Sequence, residues 1–566
     1  MDSDRRRLRR TWMTFFSRYG RLLPIQSRTI PAVLSGKNAI IVSATASGKT
    51  EAVIAPLIER YLKEGWGNRG CVSDMGSIEG KKSRNSKKSR SSRIGMAILY
   101  ISPTKALVND MHDRLKGQLD ELGITVSMKT GDTPRFNPDK SPNVLITTPE
   151  SFDSMICRYP DSFKNMKAVI LDEIHLIDNT YRGDQLRLLL KRLKHISTTD
   201  FNIYALSATI AAPEDIGRRY LGDFEIITDS GKREIEYTLV ESVEELYNCV
   251  RRENIRKLLI FCNKRATVEN FSRECMDLWG SNRVVVHHGS LSRSIRGEAE
   301  CFMKDAPYGV CVATMTLEIG IDIGNIDAIV LAEVPWSVSS LLQRIGRGSR
   351  RMSRNRVFAI YGSADEQMLL ERMFHIAMAG YIEPVDYSHD PSVVVQQVFS
   401  SLYSSPGGLT DHHLQNLFEG FCPEDELREI LRHLAKTGWI KKWQETWHAT
   451  TRLMDLGAKG KIHSNIPSNK MMEVIDIGSR QTIGEVQYPV DEIFILGGRA
   501  WLIVRESFER LYVKPATGGI ATAKFKSCVS EGAFSYLLPA RLRKSESKTW
   551  YTEALSEITR VAEVVE

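Results

Sequence analysis

Short apolar runs recur through the first two thirds of the chain, each closed by small or polar residues and followed by a stretch with helical spacing. One series comprises Ala39–Val42, Ile98–Ile101, Val144–Ile146, Val169–Leu171 and Tyr204–Leu206. A second comprises Leu258–Phe261, Val284–Val286, Val310–Val312, Ile329–Leu331 and Val357–Ile360. Unbroken β-branched runs are what strands buried on both faces require, so the pattern predicts parallel sheets covered by helices. Ligands of such sheets bind at the carboxyl ends of the strands. The polar, Gly-containing stretch Ser230–Glu236 parts the two series and is read as a linker. Two doubly wound α/β domains result, 1–232 and 233–385.

Beyond Tyr387 the pattern changes. Val393–Tyr403 has helical spacing, and Thr410 is placed to cap a short helix through Phe418. Leu427, Ile430, Leu431 and Leu434 form one apolar helical face ending at Gly438. The strand-like stretches Trp439–Trp443 and Trp447–Thr450 follow, so 386–460 reads as a winged helix. From 461 to 566, alternation and the pairs Gly497-Gly498 and Gly518-Gly519 predict a small β-rich domain. The segment 64–95 fits neither scheme. It contains Lys81–Arg93, where seven basic residues are separated only by Ser and Asn, and reads as a disordered basic loop that cannot bury a core.

The 566 residues are 42% hydrophobic and 26% charged, a globular composition that excludes a mainly disordered or fibrous chain. No apolar run approaches the roughly 20 residues that span a bilayer, and the opening MDSDRRRLRR lacks an apolar signal core. The nine cysteines show no CxxC pair and no Cys/His cluster. They read as reduced thiols, with the cytoplasm the expected compartment and no structural zinc or iron–sulfur cluster. The net charge of +8 suggests an anionic partner. Lys81–Arg93 and the arginine-rich start together contribute more than that whole excess, so the remainder is not globally basic.

Specific chemistry begins where the first strand runs into Ser43-Ala-Thr-Ala-Ser-Gly-Lys-Thr50. Its ending, set between a strand and a helix, is that of a P-loop, although Ser43 replaces the usual first glycine. In such a loop the backbone of Thr45, Ala46, Ser47 and Gly48 cradles phosphate at a helix N-terminus. Lys49 reaches the β/γ-phosphates and Thr50 ligates Mg²⁺. The fourth predicted strand ends in Asp172-Glu173-Ile174-His175. Asp172 is placed to hold Mg²⁺ directly or through water, and Glu173 to polarise the attacking water. Acid pairs are common on surfaces, but one at a strand end downstream of a P-loop specifies an ATPase.

Further motifs follow in order: Ser102-Pro-Thr-Lys-Ala-Leu107, Thr147-Thr-Pro-Glu150 and Ser207-Ala-Thr209, then His287-His-Gly-Ser-Leu-Ser292, Leu317-Glu-Ile-Gly-Ile-Asp322 and Gln343-Arg-Ile-Gly-Arg-Gly-Ser-Arg350. This set resembles superfamily 2 helicases, whose two RecA-like lobes clamp ATP between them. Within that superfamily the chain is similar to the Lhr (large helicase-related) family, Lhr-core type. The likeness is carried by Tyr100–Leu107, Thr130-Gly-Asp-Thr-Pro134, the doubled His287-His288 and Leu317–Gly324, and downstream by Phe494–Trp501 and Val513-Lys-Pro-Ala516.

The resemblance implies roles. Gln26 would read the adenine edge, which a Gln amide can match with a donor and an acceptor. Asp322 would approach the nucleotide from the second lobe. His175, Ser207, Thr209 and Gln343 would couple hydrolysis to lobe movement. Arg347 and Arg350 would touch the γ-phosphate across the cleft, with Arg350 as the finger, although Ser349-Arg350 stands where the family usually has Gly-His. Single-stranded nucleic acid would be gripped by its phosphates. The matching positions are Pro103, Thr104, Gly131, Thr148 and Pro149 in the first lobe, and Asn263, Gly289, Ser290 and Thr314 in the second. Of Trp439, Trp443 and Trp447, one is expected to stack on a base, with Trp447 the first candidate and the other two in the core.

The implied activity is an ATP- and Mg²⁺-dependent helicase or translocase moving 3′→5′ on single-stranded DNA and unwinding DNA or RNA:DNA duplex. An RNA helicase or RNP remodeller, and a motor subunit of a larger repair or phage-defence complex, are the rival readings.

Overall fold

The computed structural model describes residues 2–18, 20–43, 47–63, 96–133, 136–208, 210, 212–229, 234–314, 317, 324–348, 354–380, 387–467, 471–487, 493–507, 510–516 and 532–543. The basic loop, Thr45, Ala46, Thr209, Asp322 and Arg350 lie outside these residues.

The first lobe is built on a seven-stranded, wholly parallel sheet. Its strands are β1 (Ala39–Val42), β2 (Ile98–Ile101), β3 (Val126–Lys129), β4 (Val144–Thr147), β5 (Ala168–Leu171), β6 (Asn202–Ser207) and β7 (Glu225–Thr228). Their spatial order is β3-β4-β2-β5-β6-β1-β7. Successive residues of one strand feed opposite cores: Ile41, Ile98 and Ile170 pack on one face, Ile40, Leu99 and Val169 on the other. That is why these strands lack alternation. Helices begin after the strand ends at hydroxyl caps, Thr104, Thr148 and Thr180 among them, each accepting a backbone N–H of the first turn.

The second lobe repeats the plan with six parallel strands: β8 (Glu234–Val240), β9 (Lys257–Phe261), β10 (Val284–His287), β11 (Gly309–Ala313), β12 (Ala328–Leu331) and β13 (Arg354–Ile360). The order is β10-β11-β9-β12-β13-β8. Part of the stretch read as a linker is therefore sheet: Glu234, Ile235 and Glu236 belong to β8 and pair with Arg354, Asn355 and Arg356.

Two RecA-like lobes are thus followed by a winged helix and a β-rich domain, and each appended module docks on a different lobe. In the winged helix, helices Asp411–Phe418 and Glu424–Lys436 pack against a small sheet of order β14-β16-β15. Its strands are β14 (Leu409–Thr410), β15 (Ile440–Trp443) and β16 (Thr446–Ala449). The preceding helix Pro391–Tyr403 buries Val394, Val398 and Phe399 in a core that includes Leu188 of the first lobe. The β-rich module is a five-stranded sheet of order β18-β17-β21-β20-β19. Its strands are β17 (Met471–Asp476), β18 (Thr482–Gln487), β19 (Ile493–Leu496), β20 (Arg499–Glu506) and β21 (Arg510–Pro515). Met472, Val474, Trp501 and Val513 share one core with Val284, Val286 and Leu291 of the second lobe. Gly484 seals the contact, because a Cβ there would meet the Ser290 carbonyl oxygen at 2.1 Å. Among the described residues, no helix is long and apolar enough to cross a membrane.

Candidate functional site

Helix Lys49–Lys63 follows β1 with Gly48 as its hinge, at φ +79°, where a Cβ would strike the Gln26 amide at 2.3 Å. Lys49 is 6% exposed and donates to the Ser43 carbonyl oxygen at 2.7 Å. The Ser43 hydroxyl meets that of Ser47, so serine closes the turn where glycine is usual. Gln26 sits at the start of helix Pro24–Ser35 with both amide ends engaged. Its Oε1 accepts from Leu23 N–H at 2.9 Å, and its Nε2 donates to the Gly48 carbonyl at 3.3 Å. In this arrangement it braces the phosphate turn.

Opposite Lys49, β5 delivers Asp172 and Glu173. Asp172 is 6% exposed and accepts one hydrogen bond from the Ser102 hydroxyl at 3.1 Å. Burial and the adjacent Glu173 charge push its carboxyl up to about 7. Burial works against the Glu173 charge too, yet Lys49, His175 and Arg347 outweigh it and hold that carboxyl below its usual range. Glu173 has φ +41°, rare for a residue with a Cβ, and its carboxylate feels the charges of Lys49 and Arg347. His175 Nδ1 accepts from Ala208 N–H at 3.2 Å and faces the Ser207 hydroxyl at 3.2 Å, which joins the end of β5 to the end of β6. Burial lowers its pKa to about 4, so the imidazole is neutral. Nδ1 lies 3.5 Å from the Glu173 carboxylate without a hydrogen bond, because that nitrogen is turned to Ala208.

Arg347, from the turn after helix Val338–Ile345 of the second lobe, is 6% exposed and acts electrostatically on Lys49, Glu173 and His175. One buried constellation therefore spans both lobes. Gln343 lies on the helix that leads into the Arg347 turn. Its amide donates to Ser339 at 3.4 Å, one turn back on its own helix.

The residues expected to grip nucleic acid cluster at other strand ends. In the first lobe they follow β2, β3 and β4, at one flank of the sheet. In the second they follow β9, β10 and β11, at the corresponding flank. Several have structural employment as well. Thr104 and Thr148 cap helices, and the Pro103 carbonyl accepts from Arg182, which is ion-paired to Glu150 at 2.6 Å. Pro149 is the first residue of the helix Thr148 caps, Gly131 lies beside Lys105, and Thr314 joins the end of β11 to the His287 carbonyl at 3.2 Å. Gly289 is exposed. Asn263 is the most fully engaged of them. Its backbone N–H, Nδ2 and Oδ1 meet Glu333, the Val334 carbonyl and Arg344 at 2.6, 2.8 and 2.8 Å, so it clips β9 to the chain after β12.

The DEAD/DEAH box helicase family matches residues 23–216, and the helicase conserved C-terminal domain matches residues 240–352. The ATP-dependent helicase Lhr-Core of Methanocaldococcus jannaschii is 30% identical over 560 residues, spanning 88% of this chain and 62% of that protein. The Lhr-Core helicase of Saccharolobus solfataricus is 25% identical, with 96% of this chain and 67% of that protein covered. The chain belongs to the Lhr-type superfamily 2 helicases. Among solved structures, the Mycobacterium smegmatis helicase Lhr bound to ssDNA and AMP-PNP shares the fold at a TM-score of 0.66 and 22% identity, over 81% of this chain and 62% of that one. Helicase MrfA bound to DNA shares it at 0.69 and 20% identity, over 90% of this chain and 73% of that one. The chain spans less than two thirds of the M. jannaschii Lhr-Core protein.

In the winged helix the three tryptophans have different surroundings. Strand β16 is central in its sheet, so Trp447 is 7% exposed, donates from Nε1 to Asp411 at 2.6 Å and lies under Lys442. Trp443, at the end of edge strand β15, is 63% exposed. Trp439 is buried against Phe399 and stacked by Arg452.

A relay that sequence reading missed runs from the β-rich module to the second-lobe loop. Glu269, fully buried, accepts from the backbone N–H groups of Gly497 and Gly498 and pairs with His288 Nε2 at 2.6 Å. His288 Nδ1 in turn accepts from Ser290 N–H at 3.2 Å. The Ser290 hydroxyl accepts from Arg265 at 2.6 Å, and its carbonyl from Glu485 N–H at 2.6 Å. Every backbone polar atom of Ser290 is thus committed, while Gly289 beside it faces solvent.

Proposed function

We propose that this chain is an ATP- and Mg²⁺-dependent nucleic-acid helicase or translocase, moving 3′→5′ on single-stranded DNA and opening DNA or RNA:DNA duplexes. The observation that carries the reading is that buried Lys49 and Asp172, with Glu173 beside them, lie within the electrostatic reach of buried Arg347 from the other lobe. A site completed by two lobes is chemically competent only when they close, which makes hydrolysis report on, and drive, their relative position. The direction of movement and the duplex substrates rest on the likeness to Lhr proteins.

Asp172 and the Thr50 hydroxyl are hard oxygen donors, and the buried Asp172 has one serine partner beside a second carboxylate, an environment suited to a small divalent cation. Mg²⁺ held there would offset phosphate charge. Lys49, now on the Ser43 carbonyl, exchanges that bond for the β/γ-phosphates of ATP. Glu173 orients the attacking water and accepts its proton. Arg347 stabilises charge developing on the γ-phosphate, with Arg350 the second candidate. His175 senses the Glu173 side of the site and passes displacement to Ser207 and, through β6, to the rest of the first lobe. The strand-end loops on the opposite flanks hold the sugar–phosphate backbone without reading sequence.

Purified chain, ATP and Mg²⁺ are expected to open a duplex with a 3′ single-stranded tail and to leave a 5′-tailed duplex closed. Opening of the 5′-tailed substrate alone would overturn the polarity. Absence of opening on either, with ATP turnover intact, would overturn helicase action by this chain.

A further inference from the structure

Helix Glu424–Lys436 is preceded by Cys422 and Pro423 and opens with three acids. Glu424 is paired with Arg428, and Glu429 further along with Arg541. Glu426 instead meets His389, with Nε2 3.1 Å from Oε1. Among the described residues, no lysine or arginine lies within ion-pair distance of Glu426. Nor does Glu426 serve the helix as the reciprocal partner of a capping box, because Pro423 at the cap has no N–H to give. The Cys422 thiol completes the group. It lies one helical turn from Glu426, and the sulfur, the imidazole nitrogen and the carboxylate oxygen are all within 4.8 Å of one another.

We propose that His389, Cys422 and Glu426 form a binding site for a thiophilic divalent cation of the Zn²⁺ class. A sulfur, a nitrogen and an oxygen donor converging on one point is the mixture zinc accepts, whereas Mg²⁺ and Ca²⁺ call for oxygens. Three protein ligands leave a fourth tetrahedral position for water. The His389 and Glu426 side chains are 23% and 14% exposed, which gives an ion and that water a way in. Binding releases the Cys422 thiol proton to solvent.

A second group of the same ligand types, Asp153, Cys157 and His463, is also present. Arg192 already stands in it, 3.2 Å from the thiol and 3.7 Å from the carboxylate, so the positive charge a metal would bring is supplied by the chain. Among the described residues, no lysine or arginine is ion-paired within the Cys422 group. Linear spacing conceals it, since His389 is remote in sequence and no CxxC pair marks it.

The site would act as a staple. His389 lies between Tyr387 and Asp390, whose hydroxyl and N–H hold Asp184 of the first lobe at 2.7 and 2.9 Å. A cation would tie that contact to the helix of the winged helix, and the inference stands independently of the proposed helicase activity.

The test titrates the full chain, stripped with a chelator, with Co²⁺ as a spectroscopic stand-in for Zn²⁺. One equivalent is expected to produce a thiolate-to-cobalt charge-transfer band and the visible bands of tetrahedral Co²⁺, both displaced by one equivalent of Zn²⁺. The charge-transfer band is expected to vanish in Cys422→Ser, to need more Co²⁺ in Glu426→Gln and His389→Gln, and to persist in Cys157→Ser. No charge-transfer band at stoichiometric Co²⁺, or one that survives Cys422→Ser, would overturn the assignment.

Discussion

Asp153 and Asp172 are both buried carboxylates of the first lobe, and their surroundings could hardly differ more. Asp153 is met by donors on every side. Amides of Gln185, Gln396 and Gln397 reach Oδ2 at 3.0, 2.9 and 2.6 Å, and His463 and Ser400 reach Oδ1, with Arg192 beside it. Burial opposes its charge, but the His463 hydrogen bond, the Arg192 and His463 charges and the Ser400 hydroxyl outweigh burial and hold its carboxyl far below the usual range. Asp172 has one serine donor and a second carboxylate for a neighbour, and is pushed the other way, up to about 7. A buried charge that the fold balances is structural glue, here fastening the winged helix to the first lobe. One left unbalanced is waiting for something the chain does not contain.

Breaking the first of these should cost most in stability. Asp153→Ala leaves Arg192 and three amides facing a void, and the expected loss is about 3–5 kcal/mol in denaturant unfolding of the full chain. A loss below about 1 kcal/mol would contradict the part given to Asp153. The same interface sets a pH dependence. Burial lowers the His463 pKa, but the Asp153 carboxylate more than reverses this and raises it to about 9. Its contribution, roughly 3 kcal/mol, is fully present below about pH 6.5 and lost as pH rises through about 9. Thermal melting should therefore fall across that window in the wild type and stay flatter in His463→Gln. The last effect has the opposite sign. Asp172→Asn removes a carboxylate whose proton the folded state holds up to about pH 7, so without nucleotide the variant should be more stable than the wild type at pH 8, while losing ATP turnover. A destabilised Asp172→Asn would erase the distinction between the two carboxylates.

Sequence alone reaches the balanced and unbalanced sites unequally, for a physical reason. The P-loop and the Asp172-Glu173 pair are local: a few consecutive residues after a buried strand carry their chemistry. Asp153 depends on Gln396, Gln397 and His463, more than two hundred residues away, and Glu269 on two glycines just as remote. Each partner is an ordinary polar residue until the fold joins them. Strands divide in the same way. Those buried on both faces announce themselves as apolar runs, whereas β3, β7 and β8 lie at sheet edges, half-exposed, and their mixed sequences VSMK, EIIT and EIEYTLV escaped notice. The tryptophans show a finer limit. Spacing placed Trp439, Trp443 and Trp447 near one hairpin, but only strand pairing decides that Trp447 is central and Trp443 faces water.

The buried constellation of Lys49, Asp172, Glu173 and Arg347 is tested most directly by steady-state ATP hydrolysis with and without single-stranded DNA. The wild-type chain should hydrolyse ATP slowly alone and much faster with the strand, in a Mg²⁺-dependent manner. Glu173→Gln should lose roughly 100-fold or more of the stimulated rate while melting like the wild type. Full turnover by Glu173→Gln, or a wild-type rate indifferent to the strand, would contradict the reading of this site as the engine of a nucleic-acid motor.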